Sequence, residues 1–192
     1  MKVEPVTLEG RFVRLEPLAA SHAEALAEAA SEELFAYHFP PAELTAKGFT
    51  DQIAGLRANP SMLPFAQVLR ETDRAVGITT YLDIQPHNHA LEIGFTWIGT
   101  AWQGTAVNPE AKLLLLEHAF ERLGALRVQL KTDLRNIQSQ AALSKLGAVR
   151  EGVLRKQMAL PDGHQRDTVM FSITDDEWPA VRRRLEERLV RC

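Results

Sequence analysis

The sequence has one cysteine in 192 residues, Cys192, at its last position. An intramolecular disulfide is therefore excluded, and no cysteine-based zinc site can be assembled. Long apolar runs are missing too: no stretch approaches the ~20 residues of a spanning helix, and Met1–Pro5 holds no apolar signal core. Internal repeats, low-complexity tracts and Pro/Gly/Ser linkers are absent. Net charge is small, −3 at pH 7, so nothing pulls the whole surface toward nucleic acid or an anionic membrane. A local basic patch for phosphates stays open. These absences predict a soluble protein of a reducing compartment, the cytoplasm, with neither membrane nor nucleic acid as partner.

What is present is an ordinary globular composition, 45% hydrophobic and 24% charged. The length suits a single domain over residues 1–192, with 175–192 as a C-terminal helical arm. Arg11–Leu15 alternates as a strand. Ser21 reads as the N-cap of an Ala-rich helix ending near Ala30, and a second helix is expected over Ala42–Leu56, stopped by Asn59-Pro60. Strands follow at Phe65–Arg70, Ala75–Asp83 and Ala90–Ile98. In the last of these, alternation puts Leu91, Ile93, Phe95 and Trp97 on one face and Glu92, Gly94 and Thr96 on the other.

Asn108-Pro109 reads as the cap and first residue of a helix reaching Leu123. Arg127–Thr132 is a strand, and Ile137–Leu146 a helix closed by Gly147. Val149–Ala159 and Arg166–Ile173 form a hairpin around Pro161-Asp162-Gly163. Past Asp175, Trp178, Val181 and Leu185 form an apolar stripe, open either to pack on its own domain or to join a homodimer. The start of that helix is open between a Thr174/Glu177 capping box and Pro179 at the first helical position. The order implies an α+β protein with a mixed sheet of about seven strands flanked by helices.

Trp97 to Lys112 carries the most chemistry. A strand enters a small-residue loop that opens a helix, so successive backbone N–H groups and the positive helix end can meet phosphate oxygens. A tight strand-to-helix connection with no ligand has the same signature. His87 and His89 flank Asn88 before the Glu92 strand and are candidates for lining a ligand. Two histidines at i, i+2 can chelate a metal, but no third ligand is evident and no metal site is expected. Trp102 and Tyr37-His38-Phe39-Pro40 could shape specificity or simply pack.

In this loop the sequence resembles the GNAT acetyltransferases, whose fourth strand and third helix are joined by a Q/R-x-x-G-x-G/A loop for the CoA pyrophosphate. Gln103 fits that pattern; Ala106 and Asn108 stand at its Gly/Ala positions, and Gly104 supplies a shifted glycine. Asp133-Leu134-Arg135-Asn136-Ile137-Gln138-Ser139, Lys145-Leu146-Gly147-Ala148 and Glu151-Gly152-Val153-Leu154-Arg155 resemble the Rim-type branch, the ribosomal-protein N-terminal acetyltransferases. The likeness runs from Arg11 to Ile173.

The resemblance implies an acetyl-CoA-dependent N-acetyltransferase acting on a primary amine, a protein N-terminus or small molecule, in a ternary complex. Glu92 is then the candidate base. Ser139 is the candidate proton donor to the leaving thiolate, since Leu143 occupies the position where many relatives have tyrosine. Phe95, Trp97 and Ile98 would run beside the acyl arm, with a backbone oxyanion donor among them. Gln103, Gly104, Thr105, Ala106, Val107 and Asn108 would hold phosphates, helped by Lys112 and Arg135, and Asn136 would bond the pantetheine. Two other readings stay open: a catalytically weak acyl-CoA-binding module or sensor, and a scaffold dimer using the fold without CoA.

Overall fold

The two-residue periodicities of the sequence join into one sheet, and the helical segments cover both of its faces. A computed structural model describes residues 1–191; Cys192 lies outside the described residues. The strands are β1 (Leu8–Glu9), β2 (Val13–Pro17), β3 (Leu63–Leu69), β4 (Ala75–Gln85), β5 (Ala90–Ile98), β6 (Arg127–Asp133), β7 (Val149–Ala159) and β8 (Gln165–Thr174). The helices are α1 (Ala23–Ala29), α2 (Ala46–Ala58), α3 (Val107–Glu117), α4 (Ile137–Leu146) and α5 (Trp178–Val190).

Among the described residues the sheet has eight strands in the order β1-β2-β3-β4-β5-β6-β8-β7. Every pairing is antiparallel except β5 with β6. The expected α+β architecture is thus present with one strand more, the two-residue β1, which is too short to leave a periodic signal. One apolar core lies between the sheet and α3, α4 and α5; a second lies beneath α1 and α2. Trp178, Val181 and Leu185 are buried in the first core, and Trp178 stacks on Phe120 at 5.5 Å. The C-terminal stripe is therefore spent on its own domain.

Several element ends differ from the sequence expectation. α2 starts at Ala46 because the Thr45 hydroxyl accepts the Gly48 N–H at 3.1 Å, four residues later than expected. Ser21 lies inside a short 3₁₀ turn before α1 and caps nothing. α5 starts at Trp178, between the two expected starts: Glu177 is the flanking residue without a side-chain cap, its carboxylate accepts the Thr174 N–H at 2.9 Å, which is half of the expected box, and Pro179 is the second helical residue.

The largest departure is in β5. Ile78 pairs with Trp97 while Thr80 pairs with Gly94, so β5 carries one extra residue, and Phe95 takes φ +47°. The extra residue inverts the alternation. Leu91 and Ile93 face the first core, whereas Phe95 and Trp97 face the second, so the four do not share a face. Gln67, fully buried, donates to the carbonyls of Ile78 and Trp97, both at 3.1 Å, and ties β3 to the irregular strand.

Candidate active site

The parallel pairing of β5 and β6 ends at Glu92–Gln129. Beyond it the strands diverge, and the bulge turns β5 further away. The wedge between them is a cleft of about 780 Å³, lined by Ile93–Ile98 of β5, Leu130–Asp133 of β6, the loop after β5, α4, and Tyr37 and His38.

The loop after β5 occupies one end of the cleft. Gly104 takes φ +77° with open space where a side chain would stand, so the turn is sterically free. Thr105 folds inward, its hydroxyl donating to Trp102 O at 2.7 Å and accepting from Val107 N at 3.3 Å. Gln103 reaches back to Ile98 O at 3.4 Å. The amides of Gly104, Thr105 and Ala106 donate to no protein group among the described residues. With the α3 N-terminus they form an anion-binding nest.

Ala106 has φ −68°, a conformation alanine adopts without strain, so a glycine is not required there. Asn108 is not the helix cap. α3 begins at Val107, and Pro109 is tolerated because first-turn N–H groups have no intrahelical acceptor. The Asn108 Oδ1 is buried in the cleft wall without a partner. This oxygen can only accept, so it calls for a ligand donor; donors for an anion at this end of the cleft are the free loop amides.

Lys112 follows on α3. It is 8% exposed, forms no ion pair among the described residues, and donates to the Thr96 hydroxyl at 3.1 Å across the bulge. Burial lowers its pKa from the ordinary 10.5 to about 8. Below pH 8 both folded and unfolded chains are protonated and the folded state bears the full desolvation cost, about 3 kcal/mol. Between pH 8 and 10.5 the folded state releases the proton first, so the cost fades as pH rises. Lys112→Met is expected to gain about 2 kcal/mol at pH 7 after the lost hydrogen bond, with the gain vanishing above pH 10.5. Urea denaturation of both proteins at pH 7 and 10.5 checks this.

At the other end, Asn136 caps α4 by accepting the Ser139 N–H at 2.9 Å. The cap uses Oδ1 and leaves the amide NH₂ available in a cleft-lining residue. Ser139 has its N–H capped by Asn136, while its own hydroxyl, on a cleft-lining residue, has no protein partner among the described residues. Leu143 also lines the cleft.

Polar groups gather beside β5 and β6 on the face away from α3. Glu92 is 1% exposed; its Oε2 takes bonds from Gln129 and Lys131, both at 3.0 Å, and its Oε1 has no partner. Lys131 lines the cleft and Glu92 does not, so Glu92 stands one layer behind the wall. Asp133 is held by Arg135 at 2.8 Å. Burial pushes its carboxyl up, but the Arg135 bonds and charge outweigh this and keep it below its ordinary value. Arg135 also lies over the Tyr37 ring at 5.4 Å. These contacts hold it in this polar group, away from the loop after β5. Burial, with the Arg166 charge beside it, brings His38 down to about 4, so its imidazole is neutral near pH 7.

Phe39 and Pro40 are exposed outside the cleft, and Trp102 packs over Gly99. His87 and His89 sit in the turn before β5, at the end opposite the bulge; His89 bonds Gly124 O at 3.1 Å and neither lines the cleft. Sequence reading missed Lys131 and Arg166. The signal for Lys131 was the polar half of a strand alternation, Gln129-Lys131-Asp133 against Val128-Leu130, which by itself describes any solvated strand face, and Arg166 stands at the start of β8 with no pattern that marks it.

Residues 13–149 match the family model for the acetyltransferase (GNAT) domain. A solved structure from T. thermophilus, provisionally assigned as an acetyltransferase, superposes with a TM-score of 0.91 at 43% identity, covering 98% of this chain and 100% of its own. Curated relatives are more distant. An uncharacterised N-acetyltransferase of Bacillus licheniformis, p20, is 29% identical over 59% of this chain, and the match spans 63% of that protein. The ribosomal-protein-serine acetyltransferase of Escherichia coli K12 is 26% identical over 55% of this chain and 58% of its own. With a matching domain model over most of its length and these relatives, the chain belongs to the GNAT acetyltransferase family, with kin in the Rim-type branch.

Proposed function

We propose that the protein is an acetyl-CoA-dependent N-acetyltransferase that moves an acetyl group to a primary amine by direct attack in a ternary complex. The observation that carries this reading is the cleft where β5 leaves β6, with a free-amide nest at one end and a polar chamber at the other. Acetyl-CoA supplies the acetyl group as a thioester. Gln103, Gly104, Thr105, Ala106, Val107 and Asn108 hold the diphosphate end, and Lys112 lends it positive charge through α3. Asn136 donates its free amide to the pantetheine arm.

On the acceptor side the amine must be neutral to attack. Glu92 takes its proton through an intervening water, at the unpartnered Oε1. Phe95 and Thr96 have no register partner on β4, and a backbone amide at this bulge is the donor that faces the developing negative charge. The Ser139 hydroxyl hydrogen-bonds the departing sulfur and relays it a proton. An α-amine, with a pKa of about 8, asks less of the base than a lysine at about 10.4.

The test is calorimetric titration of the protein with acetyl-CoA and with CoA. Micromolar binding by the wild type, weakened about tenfold in Lys112→Met, is the expected result. Absence of binding at millimolar ligand sinks the enzyme reading and leaves a GNAT-shaped protein with another role. Binding without thiol release from any amine would favour the sensor alternative, which rests on Ala106, Asn108 and Leu143.

A further inference from the structure

The cation that the polar chamber leaves over is Arg166. It projects from β8 and lines the cleft together with His38, Lys131 and Asp133. Two of the chamber's three cations are neutralised: Lys131 by Glu92 at 3.0 Å and Arg135 by Asp133 at 2.8 Å. Arg166 is 7% exposed, its Nε has no partner, and its side chain makes no ion pair or hydrogen bond among the described residues. The neighbouring His38 is neutral and supplies no counter-charge, while Asp133 and Glu92, whose charges reach Arg166 without bonding it, are already paired with Arg135 and Lys131. Glu33, at the exposed rim, does not pair with it either.

An unpaired guanidinium in such a place costs the fold stability. Desolvating a cation with no direct bond is costly, the longer-range pull of Asp133 and Glu92 offsets only part of it, and an apolar residue of similar volume would avoid it. Arginine also presents its N–H donors as a planar fork matched to carboxylate and phosphoryl oxygens. A vacant fork aimed into a cleft is therefore better explained by a ligand than by packing.

We infer that Arg166 binds an anionic group on the acetyl acceptor, so that the acceptor is a primary amine also bearing a carboxylate or a phosphoryl group. The assignment rests on the acetyl-transfer reading for the word acceptor; the anion subsite itself does not require it. The position suits the role. Arg166 stands near Asp133 and Glu92 on the chamber face of the sheet, whereas the CoA diphosphate nest is formed by the loop beyond the far end of β5. One charge-assisted fork bond is worth roughly ten- to a hundredfold in affinity for the charged ligand.

The experiment uses product-like probes, so it does not depend on turnover. N-acetylglycine is titrated calorimetrically against N-acetylglycinamide, and phosphorylated N-acetylethanolamine against N-acetylethanolamine, into wild type, Arg166→Met and Arg166→Lys. A preference of at least tenfold for a charged member in the wild type, lost in Arg166→Met and partly kept in Arg166→Lys, is expected. The pair that shows it tells carboxylate from phosphoryl. Thermal unfolding gives the second readout: Arg166→Met should match or exceed the wild-type Tm, since no direct hydrogen bond or ion pair is lost and the desolvation of a cation is relieved. Equal binding of both members of each pair, no binding of either charged probe, or a preference surviving Arg166→Met overturns the assignment; so does a large fall in Tm, which would mark Arg166 as structural. Failure of acetyl-CoA to bind in the separate titration sinks the transferase reading alone and leaves these outcomes interpretable.

Discussion

Glu110→Ala is expected to destabilise the protein by about 3–5 kcal/mol, enough to bring a typical domain close to unfolding at room temperature. Glu110 lies in the first turn of α3 and is 5% exposed. Its carboxylate accepts three backbone N–H groups from the segment entering β2: Arg11 at 2.8 Å, Phe12 at 2.6 Å and Val13 at 2.7 Å. Each is charge-assisted, and removing the acceptor leaves donors unpaired in a place with little water. The negative charge also favours the positive end of the helix. Gly10 completes the arrangement, because a Cβ there would stand 2.5 Å from the Glu110 carboxyl.

The consequence reaches the cleft, since these bonds fix the N-terminus of α3, and with it the loop after β5, to the start of β2. Urea denaturation measures the effect as a shifted midpoint at unchanged slope. Glu110→Gln, which keeps one acceptor oxygen, should fall between alanine and wild type. A loss under about 1 kcal/mol for alanine would mean that water replaces the carboxylate and that the turn holds itself.

Glu110 also shows where sequence reading stops. Its partners lie 97 to 99 residues away, and no local pattern marks a helix glutamate as the acceptor for a distant turn. Local signals were legible wherever local chemistry decides. β5, α4 and β7 have the bounds expected from alternation, from the Asn136 cap and from the Gly147 stop, which takes φ +103°. The GNAT and Rim-type motifs located the cleft because Gln103, Asn136 and Ser139 are short-range features of its walls. The β5 bulge was not legible. Strict alternation predicts one face for Leu91 through Trp97, and the extra residue is dictated by Gln67, the Gly77 close approach to Trp97 O, and β4, all remote in sequence. Nor was the pairing of Glu92 with Lys131 across β5 and β6, which makes a strand glutamate a buried group and leaves Arg166 without a direct ion pair.

Glu92→Gln is the sharpest test of the chemistry, with an expected loss of about a hundredfold in kcat/KM at pH 7. The amide keeps a carbonyl oxygen for Lys131 and Gln129, whose bonds to Glu92 are 3.0 Å long, so the local packing is preserved. What disappears is a group able to take a proton. If Glu92 is the base, the deficit should shrink as pH rises through the pKa of an α-amine, about 8, because the acceptor then loses its proton to bulk water. Acetyl-CoA affinity should stay within about threefold of wild type, since Glu92 stands behind the cleft wall and apart from the loop after β5. A purely structural Glu92 gives another pattern. The deficit would then be constant with pH, acetyl-CoA binding would weaken in parallel, and Tm would fall with both. The pH profile of kcat/KM, recorded from pH 6 to 9.5 with thiol release as the readout, separates the two roles because a misplaced Lys131 cannot make activity recover as the acceptor deprotonates.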